Sequence, residues 1–403
     1  KVTNMAYMFQ DCSRLSKIYV GNGWTTEAVT SSDDMFSGCS TSLTGARGTT
    51  WDSSNATDKT FAVPDGIDNQ TGYLSYVPYA AYDASTHVLT FSFDGRYKKL
   101  EQEGVPVYTL NLGSNMPAWY DLRESVTQVV FDPTFAFARP LSNYYWFAGM
   151  KNLTAIEGLT YLNTESVIDM SHMFYECSNL QSLDLSNFSS AQVRNLSSMF
   201  QGCTNLESID LNTEFRAGAV TDMSYMFYGC NNLQAIDVSH FSIANVSNVS
   251  YMFYGCSKLK EIDVNSMKSS DQLTKMEYMF AGCEQLESLD LRLWFTDNVT
   301  SMKGLFSSCK SLTTLYVNSI LNYFNTSKVT DMSYMFSGCE SLTSLDVSKL
   351  KTNLVTNMAG MFKNCKSLTE LQVSALVTLK AVSMDEMFYG CESLTSLNLQ
   401  KFN

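Results

Sequence analysis

No stretch of this chain approaches the roughly eighteen consecutive apolar residues that a membrane-spanning helix needs. The opening residues, "KVTNMAYMFQDC", lack the basic start and apolar stretch of a signal peptide, so the chain reads as a segment of something longer. Positive charge is scarce: 27 Lys and Arg stand against 40 Asp and Glu, a net of -13. That deficit argues against nucleic acid, whose phosphates require a basic footprint. It leaves cations, basic partners or plain solubility as uses of the surface. The three histidines, His87, His172 and His240, are scattered, with no nucleophile or carboxylate at catalytic spacing. Gly-rich phosphate loops are missing, as is any C-x-x-C pair with the spacing of a metal site. The expectation is a chain without catalytic residues, metal or cofactor.

Cysteine, by contrast, is regular. Each of the eleven closes a Met-Phe-x-x-Cys or Leu-Phe-x-x-Cys sequence: Cys12, Cys39, Cys177, Cys203, Cys230, Cys256, Cys283, Cys309, Cys339, Cys365 and Cys391. From Cys177 onward they lie 26 or 27 residues apart, save for 30 between Cys309 and Cys339. In "YYWFAGMKNL" the pair Trp146 and Phe147 leads to Met150, 27 residues before Cys177, so Met150 takes the cysteine's place in one further unit. A period of this length is that of a solenoid, in which units too small to bury their own apolar face stack on one another. Stacked cysteines would lie about 4.8 Å apart, within disulfide reach. An odd number in one buried column nevertheless points to free thiols packed as small hydrophobes.

The unit reads V-T-x-M-x-x-M-F-x-G-C-x-x-L-x-x-L-D-L-S-x-F, and its halves differ in period. In residues 220–230, Val220, Met223, Met226, Phe227 and Cys230 recur at three- and four-residue steps, which predicts a helix of about two turns, N-capped by Thr221 and ended by Gly229. Alternation in "LQAIDVSHF" (233–241) puts Ile236 and Val238 on one face and predicts a short strand. The expected fold class is an α/β repeat solenoid: a leucine-rich repeat with short parallel strands and two-turn helices, interrupted by a small β-rich insert.

"VTDMSYMFSGCESLTSLDVSKL" (329–350), "VIDMSHMFYECSNLQSLDLSNF" (167–188) and "VTNMAYMFQDCSRLSKIYV" (2–20) resemble the BspA-like leucine-rich repeat surface proteins of bacteria, related to the mycoplasma lipoprotein-associated repeats. The resemblance covers about 1–45 and 125–403. It implies a secreted or surface-anchored, adhesin-like protein that binds host matrix, mucosal protein or glycan, or other cell surfaces, with no catalytic residue to carry over. An anaerobic source, common in that family, would reconcile export with free thiols. Between the two stretches, residues 46–124 break the period. The runs "HVLTFSFDG" (87–95) and "GVPVYTLNL" (104–112) read as strands of a β-rich insert, and "SVTQVVFD" (125–132) as the first strand of the next array. The expected domains are the end of one array (1–45), the insert or inter-array module (46–124) and an array of about ten units (125–403).

Two surfaces are candidates for binding. The outward middle row of the strands is acidic: Asp184, Asp210, Asp237, Asp263, Asp290 and Asp346, with Glu157 before them and Tyr316 interrupting. Neighbouring carboxylates about 4.8 Å apart repel by about 0.9 kcal/mol in water. Hydrogen bonds from adjacent Ser and Thr hydroxyls are the expected compensation, with weak Ca²⁺ binding or a basic ligand as the alternatives. The second surface is a tyrosine stripe, Tyr225, Tyr251, Tyr278 and Tyr334 at one position of the unit and Tyr228 and Tyr254 at another. Such rings either pack on one another or offer rigid contact area to a ligand. The insertion in "NSILNYFNTSKVT" (318–330) reads as a longer loop. A structural spacer, or a fibre component that self-associates end to end, is the competing function.

Overall fold

A computed structural model of the chain describes residues 1–66, 70–265, 267–269, 271–317, 323–400 and 402. Residues 318–322 of the expected long loop therefore lie outside the described residues. Contacts gather the chain into two compact units. One is Lys1–Leu112 with Ser125–Leu141 and Ala155–Ser166; the other is Gly113–Glu124 with Ser142–Thr154 and Val167–Asn403.

In the first unit, β1 (Ile18–Tyr19) pairs in parallel with β2 (Leu74–Ser75). A five-stranded sheet follows, built from β3 (Tyr79–Asp83), β4 (Val88–Ser92), β5 (Val107–Thr109), β6 (Gln128–Phe131) and β7 (Ala155–Glu157), in the order β5-β3-β4-β6-β7. The alternating runs noted in the sequence are β4, β5 and β6. Strand β3 is antiparallel to β4 and β5, whereas β4, β6 and β7 run parallel. Phe91 stacks on Phe131 at 4.7 Å, and Phe135 meets both rings edge-on. The helix α1 (Tyr97–Gln102) precedes β5.

The second unit is a succession of coils, and its columns are those of the sequence period. Val220, Met223, Met226, Phe227, Cys230, Leu233 and Phe241 are buried, as are their equivalents in neighbouring coils. From Phe174 to Phe388 the phenylalanines of successive coils stack, for example Phe200 on Phe227 and Phe227 on Phe253, each at 5.3 Å. The strands are short and pair in twos: β8 (Ser182–Leu185) with β9 (Ser208–Leu211), β10 (Ser242–Ile243) with β11 (Lys268–Ser269), β12 (Ser288–Asp290) with β13 (Thr314–Tyr316), and β14 (Ser344–Leu345) with β15 (Glu370–Leu371), all in parallel.

The predicted two-turn helices are replaced by chains of tight turns. Within one coil, the N–H groups of Met226, Tyr228 and Cys230 donate three residues back, to the carbonyls of Met223, Tyr225 and Phe227. The alternate amides leave the coil: Met223, Tyr225, Phe227 and Gly229 donate to the carbonyls of Asn248, Ser250, Met252 and Tyr254 of the next coil, at 2.7–3.0 Å. A helix would send every amide four residues back within the segment. Here half of them tie two coils together, and the backbone bends to allow it by placing Tyr225 (φ 59°) and Gly229 (φ 70°) in the left-handed region. The inward side chains keep three- and four-residue steps, which is why the pattern imitates a helix. Thr221 is not an N-cap; its amide and hydroxyl both donate to the Arg194 carbonyl of the preceding coil. Nor does the segment 233–241 form the expected ladder strand, since no strand is present over 233–238.

The cysteine has a directional role. Each buried thiol donates to the phenylalanine carbonyl of the coil before it: Cys230 to Phe200 at 3.2 Å, Cys256 to Phe227 at 3.2 Å, Cys203 to Phe174 at 3.0 Å. The Phe227 carbonyl thus accepts both the Cys230 amide and the Cys256 thiol, filling its two lone pairs. In the coil that holds Met150, the side of the preceding coil is covered by residues 113–124. Trp119 is fully buried there against Trp146, at 5.8 Å and edge-on. Its indole N–H donates to the Trp146 carbonyl at 2.7 Å, the place a preceding coil's amide takes elsewhere. All eleven cysteines are free thiols.

Burial raises the thiol pKa, to about 12 at Cys203, Cys256 and Cys309, whereas an unfolded cysteine titrates at about 8.5. The unfolded chain therefore loses these protons first as pH rises. The thiols' contribution is intact below about pH 8.5 and is lost as pH climbs toward 12. A circular-dichroism titration is expected to show alkaline unfolding in that window, less steep in a variant carrying Cys203→Ala, Cys256→Ala and Cys309→Ala; equal slopes would refute the account. A thiol reagent should label the partly exposed Cys12 and Cys391 well before the buried cysteines.

Candidate functional site

The tyrosine stripe occupies the left-handed turn position of the coils. Tyr225 stacks on Tyr251 at 4.8 Å and 7°, and Tyr251 on Tyr278 at 5.1 Å and 20°. A second column sets Tyr228 on Tyr254 at 4.7 Å and 6°, tilted against the first at 5.6 and 5.7 Å. Each ring is half-buried. Tyr334 stands outside this stack because the intervening coil has Gly304 at the equivalent position. Tyr278 fills the room that glycine leaves: a Cβ on Gly304 would lie 2.2 Å from its ring, and Gly360 bears the same relation to Tyr334. A separate stack occupies the same position two coils earlier, Tyr145 on His172 at 4.6 Å, with Ser198 in the coil between. Neither ring was read from sequence as part of a column, and His172 was weighed only as a catalytic group, although each sits five residues before the position of the cysteine.

Partial burial pushes the phenols upward, at Tyr225 and Tyr278 and to about 12 at Tyr251, where the flanking rings Tyr225 and Tyr278 add to the effect. A left-handed backbone costs a residue with a side chain about 1–2 kcal/mol. An aromatic pair returns about 0.5–1.5 kcal/mol. Tyr251, with a ring on each side, comes close to offsetting its own strain.

The acidic row is a row of turn formers. One carboxylate oxygen of Asp184, Asp237, Asp263, Asp290 and Asp346 accepts the amide two residues on, at 2.8–3.0 Å. Asp184 and Asp210 face each other across β8 and β9. Despite that proximity the carboxyl of Asp184 is lowered, first by the Ser186 hydroxyl and then by its amide; Ser239 does the same for Asp237. Burial pushes Asp290 up, but the Arg292 side chain and amide outweigh it and the net direction is down. Hydrogen bonding therefore dominates like-charge repulsion.

Three of these carboxylates, Asp237, Asp263 and Asp290, line an open groove of about 510 Å³ with Ile236 and Leu289 at its base and Tyr316 at one end. Arg292 closes that end, held by both oxygens of Asp290 and lying 4.8 Å over the Tyr316 ring. The groove sits where the strand ladder fails. The amide bonds leading into the strands lengthen from 2.8 Å (Glu207 to Gln181) to 3.5 Å (Gln234 to Glu207) and 3.3 Å (Lys260 to Gln234). The Val264 carbonyl accepts the indole N–H of Trp294, a larger ring in the column of Phe188 and Phe241. With Asp290 paired, Asp237, Asp263 and Glu261 leave the groove net negative. Among the described residues, no group of three or more His, Cys, Asp or Glu is placed to hold a metal ion, and no helix is long and apolar enough to cross a membrane.

The family model described as "Mycoplasma protein of unknown function, DUF285" matches residues 1–69, 141–267, 221–319 and 274–402. Solved structures similar to the chain include a leucine-rich repeat protein from Eubacterium ventriosum, with 16% identity over 81% of this chain and 95% of that one and a TM-score of 0.34. A leucine rich cell surface protein from Faecalibacterium prausnitzii shows 14% identity over 82% and 94%, with a TM-score of 0.30. For the T. pallidum leucine rich repeat protein the values are 17%, 65%, 86% and 0.31. No curated protein matches the chain.

Substitution at Tyr251 separates stacking from strain. Tyr251→Ala removes both ring contacts, about 1–3 kcal/mol, and keeps the left-handed backbone. Tyr251→Gly removes the same contacts and recovers about 1 kcal/mol of backbone strain. Urea denaturation is expected to rank the wild type above the glycine variant and glycine above alanine; alanine above glycine would show that the backbone is not strained there.

Proposed function

Because the chain belongs to the family described as Mycoplasma protein of unknown function, DUF285, and folds as a leucine-rich-repeat solenoid, we propose that it is a non-enzymatic, adhesin-like binding protein of the bacterial cell surface. Its ligands are extended proteins or glycans of a host matrix, a mucosal layer or another cell. The observation that supports this most is the tyrosine ladder formed by Tyr225, Tyr228, Tyr251, Tyr254 and Tyr278, with Tyr334 continuing the position further on. Stacking fixes these rings without binding, so little side-chain freedom remains to be lost when a ligand settles on them. Repetition at coil spacing lets one extended ligand touch several units, and avidity then comes from many weak contacts.

The acidic groove adds a second contact. Asp237, Asp263 and Asp290 suit a basic segment of such a ligand, or a weakly held Ca²⁺ between ligand and protein, with Asp184, Asp210 and Asp346 extending the same row. The histidines offer no competing chemistry of the hydrolytic kind. His172 is half-buried against Tyr145, its pKa pushed down by desolvation, and His87 bonds to the Tyr82 hydroxyl at 3.0 Å.

The test is binding of the intact chain to an array of matrix proteins, mucins and glycans, with and without Ca²⁺, beside a variant carrying Tyr225→Ala, Tyr251→Ala and Tyr278→Ala. Saturable binding that falls at least about tenfold in the still-folded variant is expected. Absence of binding under every condition would overturn the proposal in favour of a structural spacer.

A further inference from the structure

The first unit holds a cluster that the repeat pattern does not account for. In a chain of net charge -13, three cations meet around one small cleft. The cleft, about 80 Å³, is lined by Lys17, Tyr19, Tyr76, Phe93, Phe137 and Arg139. Arg47 places its guanidinium 5.5 Å from the centre of the Phe137 ring. Among the described residues, none of these three cations forms an ion pair with a carboxylate, although ten such pairs occur elsewhere on the chain. Two carboxylates, Asp65 and Glu165, act on these cations from nearby without pairing with them, which leaves three positive charges against two negative. Asp65 is engaged by neutral donors. It is buried, and its oxygens accept the amides of Arg47 (2.7 Å), Thr49 (3.1 Å) and Gly72 (3.5 Å) and the Thr49 hydroxyl (2.8 Å).

The cations are held in place. Lys17 donates to the Gly45 carbonyl at 2.9 Å, and Nη1 of Arg139 to the carbonyls of Ala136 and Ala138, each at 2.9 Å. An ammonium has three N–H donors and a guanidinium five, so both keep donors in reserve. Desolvation lowers the pKa of Lys17 and of Arg139, the direction expected of charges set in place without a full counter-charge. Tyr19, 57% exposed, also lines an adjoining cleft of about 230 Å³ with Val20, Val77, Gly95 and Tyr97.

The two clefts differ in what they accept. The smaller cleft is lined by cations and suits a carboxylate. The larger one has room for a ring, against tyrosines with an apolar face and a polar tip. We infer that Lys17, Arg47, Arg139 and Tyr19 form a binding site for an acidic saccharide, whose carboxylate enters the cationic cleft while its ring or the neighbouring one rests on Tyr19 and Tyr97. An acidic peptide would satisfy the cations but leave the aromatic cleft unused. The site is confined to the first unit and stands independently of the ladder and groove of the second.

The intact chain is to be titrated calorimetrically with galacturonic acid oligosaccharides, neutral galactose oligosaccharides and poly-glutamate. Saturable, salt-weakened binding of the acidic oligosaccharide is expected, with no binding of the neutral one. Affinity should fall about tenfold in Arg139→Gln, the loss typical of one charged hydrogen bond, and by a similar factor in Tyr19→Ala, an exposed position where folding is not at stake. The variant carrying Tyr225→Ala, Tyr251→Ala and Tyr278→Ala should bind as the wild type does. Unchanged affinity in Tyr19→Ala, equal binding of poly-glutamate, or no binding of the acidic oligosaccharide would overturn the inference.

Discussion

Every second amide of the turn half donates to the coil that follows, and the second unit depends on that bond. It forces the backbone through two left-handed residues per coil, because the amides between must close back on their own turn. It fixes the register at which side chains meet, so that phenylalanine falls on phenylalanine and tyrosine on tyrosine. It also leaves the phenylalanine carbonyl one lone pair short of full use, which the thiol of the next coil supplies. Cysteine is suited to that place because it is small and apolar yet still carries a weak donor.

The period, the inward columns and the solenoid were legible in the sequence, since Met, Phe, Cys and Leu recur wherever the packing recurs. The local backbone was not. Val220, Met223, Met226 and Phe227 give the same spacing whether amides bond within a helix or between coils, and hydrophobic pattern carries no record of where an N–H points. The left-handed position is filled by Tyr225, Ser198, His172, Gly304 or Glu386 in different coils, so residue type does not betray it. The groove was hidden for a related reason. Ile236 and Val238 alternate as a strand should, and the loss of their ladder follows from spacing between coils. Trp119 was missed because its segment lacks the Met-Phe-x-x-Cys signature, although it stands one period, 27 residues, before Trp146.

The candidate sites of the two units have opposite electrostatic character. In the second, carboxylates stand in a row and accept turn amides, leaving a negative groove beside Arg292, which is already engaged with Asp290. In the first, Lys17, Arg47 and Arg139 crowd a cleft where Asp65 and Glu165 stand near but pair with none of them, so positive charge prevails. A chain described by its net charge alone would be expected to refuse acidic ligands. The arrangement of charge, and not its sum, decides which chemistry each surface can receive.

The indole of Trp119 occupies the carbonyl of Trp146 that another coil would need, and Met150 offers no thiol to one standing before it. Lengthening or shortening of the second unit by tandem duplication or loss of a 26- or 27-residue block is therefore confined to one side of that tryptophan. Blocks gained or lost beyond it preserve every bond between neighbours, whereas one inserted between the two tryptophans would break the bond that joins them. Within the second unit the paired tryptophans mark one fixed end, and the number of coils beyond them is free to vary.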